Sequence, residues 1–323
     1  MPRITPLFLF SLSVALTAYL FSPALRSFLA TATAALSDIT SRGRDSATMK
    51  RPRMPVYFFS HGGPDVMYNT SHPVYPVLQR IGAEITSLRP AAAVVFSAHW
   101  QSPSRASVLV NSAPSAPLIY DFSGFPPHYY AATYPNVGSP TLAARVCNLI
   151  LLAGRDIACD TTHRGLDHGV WAGFHVAFHP DENPLRVPLV QVSLLGSEDP
   201  DAHYRLGRAV SALRDEGVVV IGAGMSVHNL HHMGSGPEPL PYAVSFDDAL
   251  KEAVEAEAYE RQRKMAQLCR RPDARQAHPW MDHLMPVHVA AGAAGDDLGK
   301  QLWTMKEGSF AWAQYRFGSV PKT

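Results

Sequence analysis

The chain carries fifteen histidines in 323 residues. Imidazole is the commonest metal ligand and the side chain that titrates nearest neutral pH, so the positions of these residues are the first question. Three of them follow apolar runs directly: PVYFFS leads into His61, AAAVVFSA into His99, and GVVVIGAGMSV into His228. Two more sit beside a carboxylate, His168 in Gly165-Leu166-Asp167-His168-Gly169 and His283 in Trp280-Met281-Asp282-His283. A neighbouring carboxylate can orient an imidazole or ligate a metal itself; either aspartate could equally serve as a helix N-cap. Gly62 and Gly63, just after His61, let backbone approach a small site closely. His175 and His179 have i, i+4 spacing but lie in an apolar segment running to Pro180, which points to packing. His231 and His232 read as a solvated continuation of the His228 turn. Other chemistries lack their signatures. There is no GxSxG nucleophile elbow and no GxxxxGK[ST] phosphate loop, and GAGMS at 222–226 lacks the third glycine of a dinucleotide fingerprint.

The elements that must hold these histidines read as an alternation of strands and helices. Strands are predicted at 55–60, 91–98, 187–194 and 217–224, and helices at 72–88, 141–152, 201–214 and 246–268. VHVAAGAAG (287–295) reads as a tightly packed helix. Continuous apolar strands separated by helices predict an α/β fold: a single domain with a largely parallel central sheet flanked by helices. In such sheets ligands collect beyond the carboxyl ends of the strands. Histidines that follow three of those strands can therefore converge there, however distant in sequence.

Composition removes several classes of function. With 46% hydrophobic and 17% charged residues the chain can bury a full core. Its net charge is +1, and the basic surplus is confined to residues 1–54, where seven Lys and Arg face two Asp; the rest is −4. A nucleic-acid partner is not expected from that distribution. Residues 1–53 read as a leader and 54–323 as the catalytic domain. Within the leader, the uncharged run 7–21 (LFLFSLSVALTAYLF) suggests contact with a membrane as an anchor, or an organelle address. Translation from Met49 or Met54 would instead leave a cytoplasmic protein. Cys147, Cys159 and Cys269 lack CxxC spacing and are odd in number, and all three read as reduced thiols.

In order along the chain, SHGGP (60–64), SAHW (97–100), YDFSGFP (120–126), LDHGVW (166–171), VPLVQVSL (187–194), SVHNL (226–230) and DHLMPVHVAAGAAG (282–295) resemble class III extradiol ring-cleavage dioxygenases. The resemblance is to their DOPA 4,5-dioxygenase branch, and it runs from about residue 55 to the C-terminus. It implies a non-haem metal site at the carboxyl ends of the strands, holding Fe(2+) in active enzymes, with Zn(2+) as an alternative. The partners it implies are a small aromatic diol and O2. By position His61 and His99 match two ligands, with His283 or Asp282 as a further one. His228 matches either an acid–base residue or another ligand, and His168 a histidine beside the substrate. Tyr120, Phe122, Phe125 and Trp100 are expected to wall an aromatic ring. A non-catalytic binding protein of the Memo type and a zinc-dependent hydrolase are the competing functions.

Overall fold

Four buried apolar runs form the middle of the sheet, and everything else is arranged to cover them. In the computed structural model, which describes residues 52–320 apart from Arg155, the chain runs β1 (Val56–Ser60), α1 (Tyr75–Ser87), β2 (Ala92–Gln101), β3 (Ser107–Asn111) and α2 (Pro140–Ala153). It continues through β4 (Ala158–Thr162), α3 (His168–Ala177), β5 (Leu189–Leu194), α4 (Pro200–Val210), β6 (Val218–Gly224) and β7 (Val227–His228). Three helices follow, α5 (Pro241–Val254), α6 (Ala258–Leu268) and the single turn α7 (Ala274–Ala277). The chain then closes with α8 (Met285–Ala293), β8 (Gly299–Trp303), β9 (Lys306–Glu307), β10 (Phe310–Ala311) and β11 (Gln314–Phe317).

Eight strands pair in the order β4-β3-β5-β2-β6-β1-β11-β8, and β7-β10-β9 form a small second sheet. The central run β5-β2-β6-β1 is parallel throughout. Antiparallel pairings join β3 to β5 and extend the other side through β11 and β8. Alternation along each strand divides the core in two. Val56, Phe58, Val94, Phe96 and Val220 pack with α2, α4 and α8 residues on one face. Tyr57, Phe59, Ala93, Val95 and Ile221 pack with α1 and α3 residues on the other.

Helix α8 presses unusually close to the sheet, and the glycines of β6 allow it. A Cβ on Gly222 would lie 2.3 Å from the carbonyl oxygen of Pro286, and one on Gly224 would lie 2.3 Å from that of His283. On its outer side α8 meets α4 at Gly207, where a Cβ would be 2.0 Å from the Val289 oxygen. The residues just before α8 are thereby held against the carboxyl end of β6, with Met225 N–H donating to His283 O at 3.0 Å. Gly224→Val should cost about 3 kcal/mol, the upper range for overpacking a close contact. Urea unfolding of the variant is the measurement, and an unchanged midpoint would show that the approach is not constrained.

Several sequence expectations need correction. The helix expected over 246–268 is two helices, α5 and α6, interrupted at Glu255–Glu257. His99 does not follow its strand but lies inside it, because β2 continues to Gln101. His228 belongs to the second sheet, since β6 stops at Gly224. Cys147 and Cys159 are not free thiols. They form a disulfide, because α2 returns through a short loop to β4 and brings positions twelve apart in sequence to a Cα separation of 5.3 Å. Cys269 remains free, so an odd count had not excluded one pair. Localisation through a membrane-anchoring or targeting segment is also withdrawn: no helix among the described residues is long and apolar enough to cross a membrane. The run 7–21 itself lies outside the described residues.

Candidate metal centre

Three histidines delivered by three separate elements meet at the carboxyl end of the parallel strands. His61 leaves β1 with its N–H donating to Gly224 O at 3.0 Å, which extends the ladder by one residue. His99 stands near the end of β2. His283 comes from the turn that the β6 glycines hold against the sheet. One ring nitrogen from each lies within 4.8 Å of the others. The Nε2 atoms of His99 and His283 are 3.2 Å apart.

The other nitrogen of each ring is already engaged. His61 Nδ1 donates to Gly62 O at 2.6 Å, His99 Nδ1 to Asp121 Oδ2 at 3.0 Å, and His283 Nδ1 to Asp282 Oδ1 at 3.0 Å. These acceptors place the proton on Nδ1 in all three rings and leave three Nε2 lone pairs pointing at one another. Among the described residues, His61 Nε2 is buried without a hydrogen-bond partner, and the Nε2 atoms of His99 and His283 face only each other. An unpartnered buried nitrogen is costly, and converging lone pairs repel, so the arrangement calls for a cation. Burial, followed by the neighbouring His99 and His168, holds His61 well below its ordinary pKa, and burial followed by His228 does the same for His283. Both are neutral, as metal ligation requires. Burial also opposes charge on His99, but its hydrogen bond to Asp121 and the surrounding carboxylates outweigh it and raise its pKa. The donor set, three imidazoles on one side of an otherwise open cavity, fits a non-haem metal with positions left for exogenous ligands.

Around the trio lies a second layer of ordered polar groups. His168 is the first residue of α3, and its ring centroid is 4.1 Å from that of His99. Asp121 Oδ1 accepts from His168 N at 3.1 Å and from His168 Nδ1 at 2.8 Å. One carboxylate therefore orients His99 and His168 together. Burial works against its ionisation, but the bonds from His168 and His99 hold it well below the usual carboxylate range. The loop carrying Asp121 is tied to the segment before α3 by Ile119 N–H to Leu166 O at 2.6 Å and Leu166 N–H to Pro117 O at 2.9 Å. Asp167 occupies the N-cap position of α3, yet its side chain caps nothing. It is buried and accepts from Ser97 Oγ at 2.6 Å, Arg164 Nη1 at 2.7 Å and Gln191 Nε2.

The trio opens into a cavity of about 590 Å³, lined also by His168, His228, Phe122, Phe125, Met225 and Trp312. His228 lies outside the converging set. Its ring stacks on that of His283 at 3.7 Å and 9°, and burial pushes its pKa down to about 3. It faces the cavity as a neutral imidazole, not as a fourth converging nitrogen. Asp282 positions His283 through its N–H and Nδ1. Two of the expected aromatic walls are elsewhere. Trp100 follows His99 on a strand, so alternation turns it to the opposite side, where the Arg164 guanidinium covers its ring at 4.8 Å. Tyr120 does not line the cavity; its hydroxyl donates to Ala132 O at 2.7 Å and its ring packs on Trp171. Phe122, 5.5 Å from the His168 ring, and Phe125 do line it. His175 and His179 pair with each other, ring centroids 5.4 Å apart, and neither lines the cavity. Asp121 was not singled out from the sequence. Its only signal was a carboxylate between two aromatics, Tyr120 and Phe122, in a loop.

Comparisons with known proteins give the chain a family. Residues 53–318 match the family described as the catalytic LigB subunit of aromatic ring-opening dioxygenase. A protein of Beta vulgaris named 4,5-DOPA dioxygenase extradiol is 34% identical over 274 residues, covering 82% of this chain and 97% of its own. A protein of the same name from Escherichia coli is 33% identical over 252 residues, covering 76% and 87%. The solved structure of an uncharacterized protein from Escherichia coli K12 superposes with a TM-score of 0.65 at 28% identity, covering 82% of this chain and all of that one.

Proposed function

This chain belongs to the family of catalytic LigB subunits of aromatic ring-opening dioxygenases, and we propose that it cleaves a catechol beside its two hydroxyls, using O2 and a ferrous ion held by His61, His99 and His283. The observation that carries the reading is the set of three Nε2 lone pairs, each fixed by an acceptor on its own Nδ1. Bound there, the metal would acidify the diol and give dioxygen an electron path from the ring.

The protein's own groups account for the rest. His168 keeps its Nδ1 proton on Asp121 and so presents an Nε2 lone pair to the cavity it lines. Burial lowers its pKa in spite of that carboxylate. It is therefore a neutral base at pH 7, placed to take a hydroxyl proton. His228, also neutral and cavity-lining, is the second acid–base group, placed to hold a proton and return it to the opened product. Phe122 and Phe125 on one side and Phe310 and Trp312 on another offer an aromatic slot that excludes water from the ring.

Full-length protein reconstituted anaerobically with iron(II) and offered a panel of catechols, DOPA first because relatives carry that name, tests the proposal. The expected result is oxygen uptake matched one to one by a yellow ring-opened product, and no uptake after zinc loading. Iron-loaded protein that consumes no oxygen with any catechol of the panel would refute it.

A further inference from the structure

The charge of the cavity wall carries information about the substrate's side chain. Four carboxylates line it, from Asp65, Asp121, Asp282 and Glu307, and no Lys or Arg among the described residues does. Asp121 and Asp282 are committed to histidines. Asp65 and Glu307 contact none of the histidines that line the cavity. Asp65 is exposed, and its carboxylate has no hydrogen-bond or ion-pair partner among the described residues.

Glu307 is held in place through one oxygen, and its Oε2 has no hydrogen-bond partner among the described residues. Its Oε1 accepts from Trp312 Nε1 at 2.8 Å and His72 Nε2 at 3.1 Å. His72 Nδ1 meanwhile accepts from Val74 N–H at 3.2 Å. The ring therefore carries a proton on Nε2 and donates it to Glu307. Both carboxylates lie on the same side of the site. Asp65 belongs to the loop that begins Gly62-Gly63, and Gly62 sits against the Trp312 ring, where a Cβ would be 2.4 Å away. The cavity's own demand for a ligand is independent of these acids, since the buried His61 Nε2 is unpartnered and lines it.

We propose that the catechol bound here carries a protonated amine on its side chain and no free carboxylate, with Asp65 and Glu307 selecting for the cation. Diol oxygens directed at the histidine trio leave the ring substituent to meet the remaining wall. That wall offers two carboxylates to an ammonium and, among the described residues, no Lys or Arg to an anion. A substrate carboxylate on the ring's side chain would meet those two acids with no Lys or Arg to pair with, a device that acts by rejection as much as by attraction. For turnover the inference rests on the dioxygenase reading; for binding it does not.

Calorimetric titration of the full-length, zinc-loaded protein separates the two. The probes are dopamine, DOPA, uncharged methylcatechol and dihydroxyphenylacetate. Dopamine should bind about tenfold more tightly than methylcatechol, and dihydroxyphenylacetate about tenfold more weakly, as expected for partly screened charges at a cavity mouth. DOPA should fall between them. In Asp65→Asn/Glu307→Gln both ratios should shrink to about threefold or less, and raised salt should shrink them in the unaltered protein. Each ratio is taken within one protein, so partial unfolding or incomplete metal loading cancels. Dihydroxyphenylacetate binding as tightly as dopamine, ratios unmoved by the double variant, or no binding of any catechol would overturn the proposal. The predicted order without oxygen uptake after iron loading would overturn the dioxygenase reading alone.

Discussion

His61→Ala is expected to leave a folded protein that holds less than a tenth of the metal of the unaltered chain and has lost oxygen uptake by at least about a thousandfold. The activity loss follows from the several kcal/mol of charge stabilisation that a bound metal supplies. The fold should survive, because the deleted Nε2 makes no hydrogen bond that the structure would miss. Removing it eliminates a buried unsatisfied group instead of creating one. Metal analysis after gel filtration, with circular dichroism as the folding control, checks both halves. A variant that keeps stoichiometric metal would show that His61 is not a ligand. One that unfolds would show that its bond to Gly62 O, at 2.6 Å, is needed to hold the loop.

Asp121→Asn is the second large effect. The carboxylate accepts from His99 on one oxygen and from His168 on the other. The amide can accept from only one of them and turns an N–H toward the second. Outer partners of ligating histidines are worth about 10–100-fold in metal affinity or activity, and here two histidines lose orientation together, so the upper end of that range is expected. The sign of the pH effect follows from the same bonds. Asp121 raises the proton affinity of His168 against the dominant effect of burial. Losing its charge should lower that pKa further and move the acid limb of kcat/KM toward lower pH. A purely structural role would reduce activity without moving the limb, so a pH profile at saturating iron decides between them. Asp121→Glu, which restores the charge on a longer arm, should recover part of the activity.

How much of this was legible in the residues can be judged from individual positions. His61, His99 and His228 stood out because each ends or follows an apolar run, and strand ends gather where a parallel sheet binds ligands. That argument identified the edge of the sheet but not which imidazoles share a point. β6 stops at Gly224, so His228 enters a second sheet and stacks on His283 instead of converging with it. His283 itself is placed by backbone contacts that no side-chain pattern encodes, since its turn reaches the site through absent Cβ atoms at Gly222 and Gly224. Trp100 was misplaced by adjacency: neighbours on a strand face opposite ways. The Cys147–Cys159 pairing likewise depends on how closely α2 returns to β4.

Asp121 is the clearest case of a residue that only the tertiary structure could reveal. It lies 22 residues from His99 and 47 from His168, and it becomes a shared acceptor only because the Pro117–Asp121 loop is bonded to the segment before α3. Strand and helix periodicity is a local property of the chain, and so the α/β alternation, the parallel centre and the strand-end histidines could be read from the sequence alone. Which nitrogens meet, which carboxylates are shared and which stay free to face a substrate depend on contacts between distant segments, and those follow from packing.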